Sequence, residues 1–224
     1  MRGGVQYPTF LMPFVALTIL ALIGLLFAQF FNQRLAIWIA KPLASAGFVG
    51  VGIAAGGLGL VAQGDLYAAG LLAGLVLSWW GDVLLIPQDR PLVFRAGIFA
   101  FLLGHVAYVL AFASLGLDLA AAGLAALVLL VIAIGVLRRL GPVVPRALLF
   151  PVRAYVLVIS AMLLCAVGAV AEGGNPGIAL GAAMFYFSDL AVARDRFIAP
   201  GFVNAAWGLP LYYGGQLVLA GTLG

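Results

Sequence analysis

The sequence predicts an all-α fold, a polytopic membrane helix bundle with about eight transmembrane helices. Of its 224 residues, 66% are hydrophobic and only 8% are charged. Such a chain would aggregate in water unless most of it lay in lipid. A hydrocarbon core about 30 Å thick needs roughly 20 apolar residues per helix. The apolar blocks divide into eight such pieces, at about 9–31, 36–62, 66–86, 95–115, 119–137, 147–170, 177–193 and 202–221.

The breaks between these blocks carry turn residues, in the segments FNQR, QGD, PQDRP, LGLD, RRLGPVVPR, EGGNPG and ARDRFIAPG. They are too short for a soluble domain, so residues 1–224 are predicted to form a single integral membrane domain. The first block exceeds an ordinary signal-peptide h-region, and LLFAQFF lacks a small-x-small cleavage pattern, so it is predicted to be a helix. The one cysteine, Cys165, excludes an internal disulfide and a multi-cysteine metal site.

The basic residues predict an orientation. Arg2 lies before the first helix, whereas the other ten lie in or beside the odd-numbered loops: Arg34, Lys41, Arg90, Arg95, Arg138, Arg139, Arg146, Arg153, Arg194 and Arg196. The positive-inside rule therefore places the odd-numbered loops in the cytoplasm and both termini outside. The composition, rich in Gly, Ala and Val and poor in Lys, suggests a bacterial inner membrane.

Two acids, Asp82 and Asp189, fall within predicted helices, whereas the other five lie in loops. Being close to their helix ends, they could reach the inner interface, but a carboxylate has a short stem and snorkels poorly. Ionisable groups within the membrane usually face a bundle interior and mark function. We therefore interpret both as functional residues.

Other polar residues lie at a similar depth. The third predicted helix carries an i, i+4 row, Gly70, Gly74, Ser78 and Asp82, and the eighth carries Asn204, Gly208, Tyr212 and Gln216. Small residues on one stripe favour close helix packing, so both rows are predicted to face protein. Lys41, Ser45, His105, Tyr108, Arg153, Tyr155 and Ser188 belong to the same depth range. Because unpaired polar groups in hydrocarbon are costly, these residues predict a polar cavity; separately satisfied packing residues are the alternative.

Two segments resemble each other, WWGDVLLIPQDRPLVF (79–94) and YFSDLAVARDRFIAPGF (186–202). Each has a bulky pair, a small residue, Asp, an apolar stretch and then Asp-Arg. The spacing from Asp82 to His105 equals the spacing from Asp189 to Tyr212. These similarities suggest a four-plus-four parallel repeat, with the two aspartates in related positions.

The chain resembles the YhhN family, which includes the animal lysoplasmalogenases. The resemblance rests on KP (41–42), GDVLL (81–85), FRAGIFAFLLGHVAYV (94–109), GAAMFYFSDLAVARDRF (181–197) and YYGGQLVLAG (212–221). It implies about eight helices and hydrolysis of the vinyl-ether bond of lysoplasmalogens, which yields a fatty aldehyde and a glycerophospho-alcohol. It also implies that Asp82 and Asp189, in the GD and SD motifs, are the catalytic pair.

The residues suit this chemistry. A vinyl ether resists base and is hydrolysed when acid protonates the alkene carbon that is not bonded to oxygen. Two carboxyl groups can therefore divide the work, one as acid and one as base. The sequence leaves open which is which. Residues expected to tune them, orient water or bind substrate are Lys41, His105, Tyr108, Tyr155, Ser188, Tyr212 and Gln216. Candidates for holding a lipid headgroup phosphate are Arg90, Arg95, Arg194 and Arg196, which otherwise serve only as topology determinants.

The expected partners are a lysophospholipid substrate and the bilayer, with no nucleic acid and no cofactor. One histidine is too few for an ordinary zinc site, which leaves only the set Asp82, Asp189 and His105, so no metal is expected. Ser188 lacks a nucleophile-elbow motif. The alternative function is a proton-coupled transporter or a small-molecule or lipid-binding membrane protein without hydrolase activity. Carriers usually need polar groups near both faces, and the predicted outer half has few.

Overall fold

The computed structural model describes residues 9–87 and 89–224, and these residues form helices joined by short turns. A single 3₁₀ turn, Thr9–Leu11, precedes the first helix. The α-helices are α1 (Met12–Phe30), α2 (Arg34–Ala54), α3 (Gly57–Ala62), α4 (Leu66–Leu84), α5 (Pro91–Ala113), α6 (Leu119–Leu140), α7 (Arg146–Ala171), α8 (Gly177–Phe197) and α9 (Phe202–Gly221).

Seven helices in the described part of the chain are long and apolar enough to cross a membrane: α1, α2 and α4 to α8. The predicted all-α polytopic bundle is confirmed. Helix α9 is also long, with 20 residues, but it carries Asn204, Tyr212, Tyr213 and Gln216, all of them buried. The polar side chains of α9 lie at protein-facing positions, as the i, i+4 row of the sequence predicts.

The structure divides the predicted span 36–62 into two helices. Helix α2 ends at Ala54, Gly56 has φ of +93°, and α3 then begins at Gly57. A left-handed backbone favours glycine, and it ends the helical hydrogen-bond pattern of α2. The prediction of one continuous helix over 36–62 is therefore corrected, because a Gly-Gly pair interrupts it.

Other helix ends differ by a few residues. Helix α5 begins at Pro91 rather than 95, with the proline in the first turn, where its missing N–H costs nothing. Helix α8 continues past 193 to Phe197, so Arg194 and Arg196 lie in its last turn. Cations there are favoured by the partial negative charge of the helix C-terminus. Two loop acids, Asp65 and Asp118, cap α4 and α6 by accepting hydrogen bonds from backbone N–H groups.

Helix α9 runs antiparallel to both α8 and α4, so the two helices that carry the aspartates run in the same direction. The contacts are Gly181 with Leu219 and Gly208 with Ala191 for α8, and Tyr67 with Thr222 and Asp82 with Tyr212 for α4. This agrees with the parallel repeat suggested by the sequence.

The packing contacts between helices repeat as well. Residues in matching contacts are separated along the chain by the same number of positions as Asp82 and Asp189. Helices α1, α2, α4 and α5 correspond to α6, α7, α8 and α9. Glycines of α4 and α8 face the matching positions of the next helix: Gly70 faces Ala111 and Gly74 faces Tyr108, whereas Gly177 faces Val218 and Gly181 faces Gly215. The agreement of these pairs supports two halves of common architecture.

The halves differ at their outer helices. Helix α1 packs along α2 and also against α9, whereas its counterpart α6 packs along α7. Within residues 9–87 and 89–224, α6 makes no comparable contact with α5. The side of the bundle next to α5, α7 and α8 is therefore less covered than its counterpart.

Candidate active site

Asp82 lies at the centre of the first polar cluster, and 3% of its side chain is exposed. Its Oδ1 is 3.2 Å from Nζ of Lys41. Its Oδ2 accepts hydrogen bonds from the hydroxyl groups of Ser45, at 2.6 Å, and Tyr212, at 2.7 Å. The Ser45 hydroxyl is also 3.0 Å from the carbonyl oxygen of Lys41 and shares its proton between the two acceptors. Groups from two helices, α2 and α9, thus replace the water that this carboxylate of α4 loses on burial.

Asp189 lies in a second cluster and is more accessible, with 16% of its side chain exposed. Tyr155 donates to its Oδ2 at 2.9 Å, and Nε2 of His105 is 3.5 Å from the same oxygen. The His105 ring is buried, and its Nδ1 is 2.7 Å from the carbonyl oxygen of Phe101, one turn earlier in α5. Helices α5, α7 and α8 therefore bring an acid, an imidazole and a phenol together.

Aromatic rings separate the two clusters. The Phe185 ring lies between them, 5.2 Å from the Tyr212 ring and 4.4 Å from the His105 ring, measured between centroids. Phe101 packs against both Phe185 and Tyr212. The polar residues that the sequence grouped at one depth thus form two separate clusters. Asp82 is divided from His105 and Asp189, the other two residues of the possible zinc set.

The two halves exchange partners at these clusters. Asp82 of the first half bonds to Tyr212 of the second, and Asp189 of the second half faces His105 of the first. His105 and Tyr212 are themselves matching positions, separated by the same offset as the two aspartates. Each aspartate is therefore completed by a side chain from the opposite half, as a pseudo-twofold arrangement of two parallel repeats requires.

A second pair of contacts follows the same exchange. Phe48 of α2 meets Tyr212 edge to face with 6.1 Å between ring centroids, and Tyr155 of α7 meets His105 in the same way at 5.3 Å. Phe48 and Tyr155 are also matching positions under that offset. The aspartate sites are thus two versions of one arrangement, with different side chains in equivalent places.

Tyr108 and Gln216 form a third polar contact, in which the tyrosine hydroxyl donates to Oε1 of the amide at 2.6 Å. Both side chains are fully buried. Nε2 of Gln216 and Oγ of Ser78 are buried without a hydrogen-bond partner among the described residues. Ser188 is also buried, and its hydroxyl group donates to the backbone carbonyl of Phe185 at 2.7 Å.

The four headgroup candidates lie at one end of the bundle but do not form one group. Arg90 and Arg95 are exposed at the start of α5, and the guanidinium of Arg196 lies 4.4 Å from the centre of the Phe94 ring. Arg194 donates a hydrogen bond to Asn204. Arg153, which the sequence placed at the same depth as the site, is exposed on α7.

Arg194 also lines a cavity of about 440 Å³ between α6, α8 and the start of α9. Its wall includes Arg139, Trp207 and Leu190, the residue after Asp189. Arg139 was not among the predicted headgroup residues, because the Arg138–Arg139 pair was interpreted as a topology signal. Ser45, which the sequence placed in the polar cavity but not among the residues expected to tune the aspartates, lies one turn from Lys41 and bonds to Asp82.

The comparisons with known proteins bear on this site. A family model described as the YhhN family matches residues 14–223. The chain belongs to the YhhN family. This YhhN-family chain is also similar to the lysoplasmalogenase TMEM86A of Bos taurus, with 32% identity over 160 residues. The aligned part is 68% of this chain and 64% of that relative's length. No solved structure matches the chain.

Proposed function

We propose that this YhhN-family protein is a membrane-embedded hydrolase that cleaves the vinyl-ether bond of lysoplasmalogen-type lysolipids. The products are a fatty aldehyde and a glycerophospho-alcohol. The observation that carries the proposal is the Asp189 carboxyl group beside a buried imidazole and a phenol, 3.5 and 2.9 Å from the same oxygen. Similarity to a lysoplasmalogenase supports the choice of substrate class.

Acid catalysis suits such a site. The reaction begins with proton transfer to the alkene carbon that is not bonded to oxygen, which turns the vinyl ether into an oxocarbenium ion. Water then adds to the carbon that carries the ether oxygen and loses a proton to a base, and the resulting hemiacetal breaks into aldehyde and alcohol. The same division between a protonated and an ionised carboxyl group serves glycosidases, whose transition state has similar charge. Asp82 and Asp189 are the two carboxyl groups proposed for these roles.

The lipid headgroup is proposed to lie at the end of the bundle where α8 terminates. The cavity lined by Arg139 and Arg194 has charged groups beside apolar walls, which fits a phosphate attached to a chain. It lies beside α8, the helix that carries Asp189. A lysolipid held there would extend its first carbons, including the vinyl ether, toward that carboxyl group.

The test is aldehyde release from a lysoplasmalogen by the purified protein in detergent, with an ester lysophospholipid as the comparison substrate. We expect the vinyl-ether lipid alone to yield aldehyde. The double variant Asp82→Asn/Asp189→Asn should insert and fold but lose at least about a hundredfold in rate, the usual scale for removing an acid or base.

Asp89→Asn is the matched control, because Asp89 is an exposed loop acid at the same end of the bundle. It should retain the wild-type rate. Full activity of the double variant would overturn the proposed chemistry. Turnover of neither lipid, together with passage of a solute into liposomes, would favour the transporter instead.

A further inference from the structure

We propose that Asp189 and His105 share the proton that this hydrolase delivers, and that Asp82 remains an ionised carboxylate. This assignment rests on the proposed function and goes beyond it by separating the roles of the two acids. The contacts that carry it are the hydrogen bond from His105 to the backbone, the approach of His105 to Asp189, and the ion pair of Asp82 with Lys41.

The backbone determines which nitrogen of His105 carries a hydrogen. Nδ1 is 2.7 Å from the carbonyl oxygen of Phe101. A carbonyl oxygen only accepts hydrogen bonds, so Nδ1 must be the donor. In the neutral ring, Nε2 then has a lone pair and no hydrogen. The tautomer is thus assigned from the hydrogen-bond pattern.

The other nitrogen faces an acid. Nε2 is 3.5 Å from Oδ2 of Asp189 and makes no hydrogen bond to any of the described residues. A lone pair opposite a carboxylate oxygen would place two acceptors against each other in a buried site, where repulsion is strong. One proton between Nε2 and Oδ2 turns this repulsion into a hydrogen bond, whether it resides on the acid or on the ring.

The hydrogen bond from Tyr155 to Asp189 does not supply the proton between Nε2 and Oδ2. The Tyr155 hydroxyl donates to Oδ2 at 2.9 Å and keeps its own hydrogen. The carboxyl oxygen can accept this bond on one lone pair while it shares the proton with Nε2. The His105 ring also contacts the apolar ring of Phe185, at 4.4 Å between centroids. Tyr155 and Asp189 are thus the titratable groups in contact with the imidazole.

Asp82 has the opposite surroundings. A lysine ammonium lies 3.2 Å from one oxygen, and two hydroxyl groups donate to the other. Burial disfavours the ionised form of a carboxyl group, and here a nearby cation and several hydrogen-bond donors oppose that effect. Its side chain is 3% exposed, whereas that of Asp189 is 16% exposed. Asp82 is therefore suited to hold a negative charge and Asp189 to meet a substrate.

The unequal covering of the two halves agrees with this division. Helix α1 packs against α9, which carries Tyr212 of the Asp82 cluster, whereas α6 does not cover α5, which carries His105 of the Asp189 cluster, in the same way. The equivalent positions 105 and 212 hold His in the accessible cluster and Tyr in the sealed one. Of the two related sites, the Asp189 cluster is thus the proton donor, and the Asp82 cluster holds a fixed negative charge.

The proton follows a closed path in this arrangement. It passes from the Asp189–His105 pair to the alkene carbon that is not bonded to oxygen, which leaves the pair one proton short. The water that adds to the oxocarbenium carbon loses a proton, and the pair takes it up. Collapse of the hemiacetal moves a proton from its hydroxyl group to the leaving oxygen, so atoms and charge balance over the cycle.

The experiment uses the fact that His105 is the one histidine of the chain. Protein labelled with ¹⁵N in its imidazole, purified without a polyhistidine tag in detergent or nanodiscs, gives NMR signals from this ring alone. We expect Nδ1 to be protonated and Nε2 to show the signal of a nitrogen in a hydrogen bond. Asp189→Asn should shift the Nε2 signal, whereas Asp82→Asn should leave it in place.

A hydrogen on Nε2 with a bare Nδ1, or an Nε2 signal that moves with Asp82→Asn and not with Asp189→Asn, would overturn the assignment. If Asp189→Asn does not fold, Asp189→Glu, which displaces the carboxyl group, provides the comparison with Asp82→Asn. The spectrum does not depend on turnover, so it can fail while lysoplasmalogen hydrolysis is found. Conversely, a protein that hydrolyses no vinyl ether can still show the shared proton.

Discussion

The Asp82 carboxylate is almost fully shielded from solvent. Its negative charge is therefore stabilised by the three groups that contact it. The ammonium of Lys41 is the only cation among them. Removing one member of a buried ion pair leaves an uncompensated charge, which costs far more than loss of an exposed pair. The ion pair between Lys41 and Asp82 therefore links α2 to α4.

We expect Lys41→Met to destabilise the protein by about 3–5 kcal/mol, because the Asp82 charge stays buried without its partner. The measurement is unfolding of the purified protein in mixed micelles of rising denaturing-detergent content. Adding Asp82→Asn to this variant should recover most of the loss, since the second change removes the charge.

Arg153→Met is the control for that prediction. Arg153 is an exposed cation on α7, and its loss should change unfolding by less than about 0.5 kcal/mol, as for an ordinary surface substitution. Equal effects at residues 41 and 153, or no rescue by Asp82→Asn, would contradict the role given to the ion pair.

At the scale of helices, small residues set how closely neighbours approach. Gly181 of α8 faces the backbone of Gly215 on α9, and Gly74 of α4 faces the Tyr108 ring on α5. The i, i+4 spacing in α4 indicated from the sequence that this stripe faces protein. The break between α2 and α3 was not anticipated, because a Gly-Gly pair within an apolar stretch is tolerated in many helices.

We expect Gly181→Ala to destabilise the protein by about 1–3 kcal/mol, because the new methyl group meets the backbone oxygen of Gly215, which has no rotamer to change. Micelle unfolding measures the change. Gly123→Ala is matched to it, since a methyl group added there on α6 would have no atom of a neighbouring residue within 4 Å. That variant should be neutral or slightly stabilising, and equal losses at both sites would show that close α8–α9 packing is not the cause.

For the whole molecule, the bundle is made of two similar halves whose central side chains cross over. Tyr212 lies 130 residues beyond Asp82, its hydrogen-bond partner. The similar segments around residues 82 and 189 suggested the duplication. The exchange of partners was visible only in the structure, because it depends on the packing of α5 beside α7 and of α9 beside α2.

The orientation in the membrane remains a prediction from the basic residues. In a Cys165→Ala background, Glu172→Cys and Arg138→Cys place a single thiol at opposite ends of the bundle. We expect an impermeant maleimide to label residue 172 on intact cells and residue 138 only after permeabilisation, in line with the positive-inside rule. The reverse pattern would place both termini in the cytoplasm.

The sequence by itself determined the membrane class, the approximate helices and the two intramembrane acids, because hydropathy, helix period and charge are local properties of composition. It also determined that Lys41, His105, Tyr155 and Tyr212 lie at the depth of those acids, since depth follows from position within a span. Only the tertiary structure decided which residue meets which acid. Asp189 meets His105 and Asp82 meets Lys41, because rotation and packing of helices far apart in the chain set those distances.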